Sequence, residues 1–179
     1  MPYLEYVPEN VGISAVYGRD PEVWDPFLAF THALMRGPSP LSFGQRELIA
    51  AYVSAVNGCA YCFGAHGAAA EAFGVPVSVI ETAATDLDAA ELPDEERELL
   101  RFLHKVVKDA PRIVQEDVDR VKAAGWGETA LNHAIGIATR YAMVNMMAQA
   151  HGIVVDAEDL KEAGRRMADP RWSAAPKRG

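Results

Sequence analysis

The sequence predicts an all-α fold, and three observations carry that prediction. Apolar residues recur at the three- and four-residue spacing of amphipathic helices in one segment after another. Proline and glycine separate these segments, and no alternation of apolar and polar residues lasts more than a few positions. A chain of 179 residues is long enough to bury its own core, so we expect one domain, 1–179. Within it we expect an N-terminal extension and first helix (1–40), a core (41–167) and a polar tail (168–179).

Proline and glycine define the N-terminal elements. Residues 1–19 contain two prolines and two glycines among apolar residues, which predicts an extended arm on the surface or on a neighbouring subunit. Asp20-Pro21 predicts a helix start, with aspartate as the N-cap and proline at the first helical position. Gly37-Pro38 is expected to end that helix.

The next two helices form a predicted hairpin. Ser42 and Gln45 match a capping box, which predicts a helix start. Asn57-Gly58 is expected to end this helix, because both residue types tolerate the left-handed conformation found at helix termini. A new helix is expected to begin at or next to Cys59 and to continue through alanine-rich sequence to Gly74.

The second half of the chain is also helical by pattern. The helix expected over 128–149 carries apolar residues on several faces, so we expect it to be central and largely buried. The other predicted elements are a short helix over 78–84, an acidic loop over 85–92, a helix opened by Pro93 and Asp94 and closed by Pro111, a helix over 114–124, and a last short helix capped by Asp156.

Composition narrows the classes of function. The formal net charge is −8, with 25 acidic and 17 basic residues, which argues against non-specific nucleic-acid binding. No apolar run approaches the roughly 20 residues that span a bilayer, and the N-terminus lacks the pattern of a secretory signal. We therefore expect a cytoplasmic protein with no membrane partner. No glycine-rich phosphate loop is present, so nucleotide binding is not expected.

The chemistry-bearing residues lie together in 42–74. Cys59 and Cys62 form a C-x-x-C pair, His66 follows four residues later, and Glu47 precedes the pair by twelve residues. On a helix, Cys59, Cys62 and His66 share one face. The start of a helix stabilises a thiolate, and C-x-x-C motifs placed there have lowered thiol pKa values. These features predict a thiol redox site.

Glu47 completes a predicted proton relay. If the turn between the two helices is tight, Glu47 and His66 lie at similar depth in the hairpin. A carboxylate beside an imidazole fixes its tautomer and raises its basicity, so the imidazole can take a thiol proton. Two alternatives stay open: the cysteines are small buried core residues, or all four side chains bind zinc. Zinc is less favoured, because structural zinc sites usually draw ligands from two separated pairs.

A polar stripe on the predicted 128–149 helix is a further candidate. Tyr141, Asn145 and Gln149 lie four residues apart and therefore share a face. The favoured interpretation is a solvated or subunit-facing stripe. In the alternative, this helix faces the cysteines and Asn145 orients a substrate or a water molecule.

The sequence from 41 to 74, with ELIAAYVSAVNGCAYCFGAH, resembles the AhpD-like alkylhydroperoxidase and carboxymuconolactone decarboxylase superfamily. It is most similar to the peroxidase-related branch, which has an N-terminal extension like 1–40. The resemblance implies an AhpD-like helical bundle, cofactor-free and metal-free thiol chemistry, and assembly as homotrimers or dimers of trimers. In AhpD proper, the motif cysteines reduce peroxides or accept electrons from a peroxiredoxin partner, and lipoylated protein is the reductant.

Carried over by position, the resemblance makes Glu47 and His66 the proton relay and Cys59 with Cys62 the redox pair. The usual scheme of the family makes Cys62 the activated thiol, whereas helix-terminus electrostatics alone favour Cys59, so both assignments stay open. Tyr61 occupies the position before the second cysteine, where characterised members have histidine. Tyr61 is therefore a candidate for supporting the pair or contacting substrate.

These observations predict a thiol-dependent oxidoreductase that reduces hydroperoxides. A dithiol, a lipoyl-type carrier or a peroxiredoxin would be its redox partner. One alternative is a non-enzymatic redox-responsive oligomeric module. The other is a carboxymuconolactone decarboxylase-like enzyme, which is weaker because that branch typically lacks the cysteine pair.

Overall fold

A computed structural model describes residues 1–169 and Trp172. This part of the chain contains α-helices and one short 3-10 turn, without β-strands, so the predicted all-α class is confirmed. The helices are α1 (Ser14–Arg19), α2 (Pro21–Arg36), α3 (Phe43–Val56), α4 (Ala60–Ala72), α5 (Val77–Thr85), α6 (Asp94–Lys108), α7 (Gln115–Ala123), α8 (Glu128–Ala150) and α9 (Ala157–Met167); the 3-10 turn is Ala110–Arg112.

The α3–α4 hairpin lies at the centre of the molecule. At its start, Ser42 Oγ accepts a hydrogen bond from the Gln45 N–H at 3.2 Å, and Gln45 Oε1 accepts one from the Ser42 N–H at 3.0 Å, as the capping-box pattern predicted. In the turn between α3 and α4, Gly58 has φ +66°. That left-handed conformation, which glycine adopts without a Cβ clash, reverses the chain into α4. The hairpin predicted from the sequence is confirmed.

A continuous core surrounds this hairpin. Nine consecutive residues of α3, from Arg46 to Ser54, are buried, and α8 packs against α3, α6 and α2. The central, largely buried position predicted for α8 is confirmed. The largest fully buried side chains include Tyr52, Tyr141, Met35, Leu41, Leu48, Ile49, Ile80, Leu100, Leu103 and Ile137.

The N-terminal residues differ from the predicted extended arm. Ser14–Arg19 is helical, and Val7, Ile13, Val16 and Tyr17 are buried in a second apolar cluster that also contains both cysteines. The prediction was wrong because it read the prolines and glycines as signs of an extended surface segment. Burying these apolar side chains removes them from water, which drives the segment onto its own chain.

Two helix starts also differ in detail. Asp20 and Asp156 precede α2 and α9 as predicted, but neither side chain makes a capping hydrogen bond. The predicted polar tail lies mostly outside the described residues, which omit 170–171 and 173–179. Across 1–169 and Trp172, no helix combines the length and apolar character needed to cross a membrane.

Helix α9 packs on α4 through a close backbone approach. A Cβ added at Gly164 would lie 2.5 Å from the Ala65 carbonyl oxygen and 2.5 Å from the Ala68 Cβ. Both contacts are too short for real atoms, so only glycine lets α9 lie this near α4. This contact places α9 beside α4, the helix that carries the C-x-x-C motif.

We predict that Gly164→Ala lowers the free energy of unfolding by about 1–3 kcal/mol, because the added methyl group overpacks the α4–α9 contact. Thermal unfolding followed by circular dichroism measures the effect. Gly18→Ala is the matched control, since a Cβ at this helical glycine meets nothing within 4 Å. An unchanged midpoint in Gly164→Ala would show that α9 shifts freely.

Candidate functional site

A buried carboxylate joins three helices at the centre of the site. Glu47 on α3 is 1% exposed. Its Oε2 lies 2.7 Å from Nδ1 of His66 on α4, and its Oε1 lies 2.6 Å from Nη2 of Arg36 on α2. The pairing of Glu47 with His66 is the one that equal depth in the hairpin predicted. Because a buried charge needs partners, the two contacts keep this carboxylate in the core.

The environment keeps Glu47 ionised. Burial alone raises the pKa of Glu47, but the charges and hydrogen bonds of His66 and then Arg36 outweigh burial, so the pKa falls below its ordinary value. His66 Nδ1 is occupied by the carboxylate, which leaves Nε2 as the ring nitrogen free to exchange a proton. Glu47 therefore fixes the tautomer of His66 and can stabilise the imidazolium ion.

Arg36 is a site residue that the sequence analysis missed. Its guanidinium also donates to the carbonyl oxygens of Met35 at 2.9 Å and Met167 at 2.7 Å. The rings of Phe43, Phe73 and Trp172 surround it, with centroids 5.4, 5.6 and 4.8 Å from Cζ. An arginine in the last turn of a helix is ordinary in sequence, and only the tertiary fold brings it to Glu47.

The two cysteines share one proton. Both are free thiols, 3% and 2% exposed. A hydrogen bond from the Cys62 thiol lowers the pKa of Cys59 to about 7, against the effect of burial, with help from the backbone N–H groups of Cys62 and Tyr61. The same hydrogen bond, followed by burial and the negative charge of Cys59, raises the pKa of Cys62. These two directions favour a thiolate on Cys59, the N-cap residue of α4, over one on Cys62.

Asn145 supports the sulfur pair from α8. It is fully buried, donates to Ser54 Oγ at 3.0 Å and accepts a hydrogen bond from Asn57 Nδ2 at 3.1 Å. Its side chain also favours the thiolate form of both cysteines, which adds to the lowered pKa of Cys59 and only partly offsets the raised pKa of Cys62. The preferred interpretation of a solvated or subunit-facing stripe is therefore wrong for Asn145 and Tyr141. Gln149 is exposed and donates to the Asn57 carbonyl oxygen at 2.9 Å.

The candidate residues Tyr61 and Tyr141 contact different parts of the site. The ring of Tyr141 lies edge-on to His66, with centroids 4.4 Å apart. Tyr61 Oη accepts a hydrogen bond from the Ile13 N–H at 3.1 Å, which ties the C-x-x-C motif to the N-terminal segment. Burial raises the pKa of Tyr61. Tyr61 is therefore a neutral anchor at neutral pH rather than a substitute for an imidazole.

An apolar cavity of about 640 Å³ opens beside the motif, enclosed by α1, α2, α4, α8 and α9. Cys62 and His66 contribute to its wall, whereas Cys59 does not. Tyr17, Tyr61, Tyr141 and Arg140 supply further polar groups among mostly apolar side chains. An apolar ligand in this cavity would meet the sulfur of Cys62 first.

The arrangement does not favour the zinc alternative. Across residues 1–169 and Trp172, no group of three or more His, Cys, Asp and Glu side chains is placed to hold a metal ion. Glu47 is engaged by Arg36 and His66, and the cysteines by each other and Asn145. The geometry is that of a thiol pair beside an imidazole–carboxylate pair.

Comparison with known proteins finds similarity to one family and to two solved structures. Residues 21–105 match the model of the carboxymuconolactone decarboxylase family. An uncharacterized peroxidase-related protein from Silicibacter sp. TM1040 is 28% identical, with a TM-score of 0.75 over 82% of this chain and 76% of that one. The alkylhydroperoxidase AhpD core of an uncharacterized peroxidase-related protein from Ralstonia eutropha JMP134 is 26% identical, with a TM-score of 0.77 over 86% of this chain and 80% of that one.

No curated protein matches the chain. The family match over 21–105 and the two solved structures agree with the motif and support the AhpD-like carboxymuconolactone decarboxylase superfamily.

We predict that one thiol ionises with a pKa of about 7 and that Cys59→Ser removes this ionisation, because Cys59 carries the resting negative charge. Cys62→Ser should retain a low pKa, since serine can still donate a hydrogen bond to the Cys59 thiolate. Thiolate ultraviolet absorbance, recorded against pH, measures both. A near-neutral ionisation that persists in Cys59→Ser would contradict the assignment.

We predict that Glu47→Gln lowers the free energy of unfolding at neutral pH by about 1–3 kcal/mol, the range for charged hydrogen bonds. The folded pKa of Glu47 lies below 4.5, the ordinary value. Its contribution to stability is therefore present above pH 4.5 and is lost as pH falls through the folded pKa. Denaturant unfolding from neutral to acid pH should show wild type and Glu47→Gln converging. A constant difference across that window would contradict this account.

Proposed function

We propose that this protein is a thiol-dependent peroxidase that reduces organic hydroperoxides through Cys59 and Cys62. The observation that carries the proposal is that Cys62 and His66 share the wall of one apolar cavity, while buried Glu47 holds the other side of the imidazole. A thiol, a base and a space for an apolar substrate therefore adjoin. The family match and the two peroxidase-related solved structures support the same kind of function.

In the proposed first step, Cys62 is the attacking thiol. The negative charge of Cys59 raises the pKa of Cys62, so the step proceeds from the form in which Cys59 is protonated. The Cys62 proton passes to Nε2 of His66, directly or through one water molecule, and Glu47 stabilises the resulting imidazolium. The Cys62 thiolate attacks the terminal oxygen of the hydroperoxide and the O–O bond breaks. The alkoxide leaves with the proton from His66 as an alcohol, and Cys62 becomes a sulfenic acid.

In the second step, Cys59 resolves the sulfenic acid. Its thiolate attacks the Cys62 sulfur, hydroxide leaves and takes up a proton to form water, and a disulfide joins the two residues. Overall, one hydroperoxide and two thiols give one alcohol, one water and one disulfide. The lowered pKa of Cys59 suits this role, since the resolving thiol readily gives up its proton near neutral pH as it attacks.

The proposed cycle closes with an external dithiol. A dithiol delivers the two electrons needed to reduce the disulfide, and a lipoyl-type carrier or a peroxiredoxin partner belongs to the same proposal. No cofactor is required. Assembly as a homotrimer or a dimer of trimers is proposed on the family resemblance, and a cytoplasmic location is proposed from the sequence pattern.

The deciding experiment follows thiol loss and sulfenic acid formation after one equivalent of cumene hydroperoxide. We expect wild type to lose both thiols, Cys59→Ser to accumulate a dimedone-trappable sulfenic acid on Cys62, and Cys62→Ser to react only as slowly as a free thiol. His66→Gln should slow the reaction roughly hundredfold or more, the usual effect of losing a positioned general base. His104→Gln is the matched control, since His104 contacts Tyr52 away from the cavity.

Three other outcomes have distinct meanings. Rapid oxidation of Cys62→Ser with an inert Cys59→Ser would reverse the roles of the two sulfurs. Inert thiols in the wild type would reject the peroxidase proposal and favour buried core cysteines or a decarboxylase-like activity. Consumption of a single equivalent of hydroperoxide in the presence of excess dihydrolipoamide would favour the redox-responsive module, whereas an enzyme turns over.

A further inference from the structure

The cavity wall contains a buried guanidinium that lacks a carboxylate partner. Arg140 on α8 is 9% exposed and lines the cavity. Its Nε donates to Thr31 Oγ1 at 3.1 Å. Its Cζ lies 4.2 Å from the ring centroid of Tyr141 and 5.1 Å from that of Phe27. Within residues 1–169 and Trp172, no carboxylate oxygen lies within 4.0 Å of its nitrogens.

This arrangement differs from that of the other buried arginine at the site. Arg36 has the Glu47 carboxylate at 2.6 Å. Arg140 has one hydroxyl group and two aromatic faces, and its Nη groups donate to no residue of the described chain. Burying a charge is unfavourable unless a partner offsets the lost hydration. A ligand that brings a negative charge into the cavity would supply that partner.

A second unpaired donor lies in the same cavity. Tyr17 on α1 is 6% exposed and lines the wall, and its buried Oη has no hydrogen-bond partner among the described residues. Burial raises the pKa of Tyr17, so the hydroxyl keeps its proton at neutral pH. Tyr17 and Arg140 line the same cavity, so both donors lie in one region of the molecule. The hydroxyl can therefore donate to the same anion as the guanidinium.

We propose that Arg140 and Tyr17 bind a carboxylate group of the substrate, so that the protein acts on apolar organic hydroperoxides that carry a carboxylate. The peroxide part of this inference rests on the proposed function; the carboxylate site does not. Arginine presents a planar set of donors that matches a carboxylate, and the apolar walls suit a hydrocarbon between the two polar ends. A cavity of about 640 Å³ far exceeds the volume of hydrogen peroxide.

The two ends of the proposed substrate would lie in one cavity. Arg140 and Cys62 both line it, so a carboxylate at Arg140 and a peroxide at Cys62 can belong to the same molecule. A short apolar framework such as one aromatic ring is therefore a suitable probe. The carboxylate side chain of Asp25 also lines the cavity, so the wall as a whole is not positive. Selection of an anionic substrate must therefore come from the Arg140 guanidinium itself.

Activation of Cys62 is the rival role for Arg140, and substrate preference separates the two. If Arg140 only promotes thiolate formation, its loss slows every hydroperoxide equally. If it binds a carboxylate, its loss slows carboxylated substrates more than neutral ones. The informative quantity is therefore the ratio of rates for two substrates that differ only in charge.

The kinetic test compares para-carboxy cumene hydroperoxide with its methyl ester. Wild type should oxidise about tenfold or more faster with the acid, which is the scale of one charge-assisted hydrogen bond. Arg140→Met, which keeps an unbranched side chain, should bring the ratio to about one, and Arg140→Lys should retain part of it. Asp25→Asn is the matched charge control and should keep the preference. Equal rates for acid and ester in wild type would overturn the inference.

A binding test is independent of peroxide chemistry. Calorimetry with para-isopropylbenzoate and the neutral para-isopropylbenzamide should show about tenfold tighter binding of the benzoate to wild type. Tyr17→Phe should weaken benzoate binding about threefold or more. It should leave the thermal midpoint unchanged, because the lost hydroxyl has no partner, so the test stands even if Arg140→Met folds poorly.

The two proposals fail separately. Benzoate binding that depends on Tyr17 and Arg140, together with thiols inert to both hydroperoxides, would support the carboxylate site and reject the peroxidase. Fast oxidation by both hydroperoxides, with equal affinity for benzoate and benzamide, would support the peroxidase and overturn the carboxylate site.

Discussion

The hydrogen bonds of buried Glu47 to His66 and Arg36 are the interactions on which the rest of the site depends. They join α2, α3 and α4, and they place a fixed negative charge behind the imidazole. Arg46, the residue before Glu47 on α3, fixes the loop after α2. Its guanidinium donates to the carbonyl oxygens of Gly37 at 2.8 Å and Leu41 at 3.0 Å. Helix α2 therefore contributes directly to the site through Arg36, in addition to the α3–α4 hairpin that carries the C-x-x-C motif.

The cavity wall contains a buried positive charge in a molecule that is acidic overall. The chain carries a formal net charge of −8, yet the wall beside Cys62 contains Arg140 without a carboxylate at salt-bridge distance in the described chain. Tyr141 lies between the two electrostatic centres, since its ring contacts His66 on one side and the Arg140 guanidinium on another. An anion would thus be repelled by much of the outer surface and stabilised only within the pocket.

Local sequence predicted the helices and the hairpin of the site well. The capping box at Ser42, the turn at Gly58 and the spacing of Cys59, Cys62 and His66 are all short-range features, so the sequence contains them directly. Equal depth in a hairpin was enough to pair Glu47 with His66. The helical α1 was missed because what holds that segment is burial against helices distant in sequence.

The site residues that the sequence analysis missed share one property: tertiary packing brings them to the site. Arg36 meets Glu47 and the Met167 carbonyl oxygen only after α2, α3 and α9 have packed, and Arg140 and Tyr17 line a cavity formed by several helices. The stripe on α8 was misjudged for the same reason. Composition gives the polarity of a helix face, but the neighbours that cover it are set by tertiary packing.

The depth of the sulfurs restricts how electrons can be delivered in the proposed cycle. Cys59 and Cys62 are 3% and 2% exposed, and thiol–disulfide exchange requires the incoming sulfur to touch the one it attacks. A rigid, flat protein surface cannot make that contact. The reductant must therefore be slender, either a free small dithiol or a dithiol on a flexible arm that enters the cavity. The shape of the carrier, more than the fit between two protein faces, would then decide which reductants are accepted.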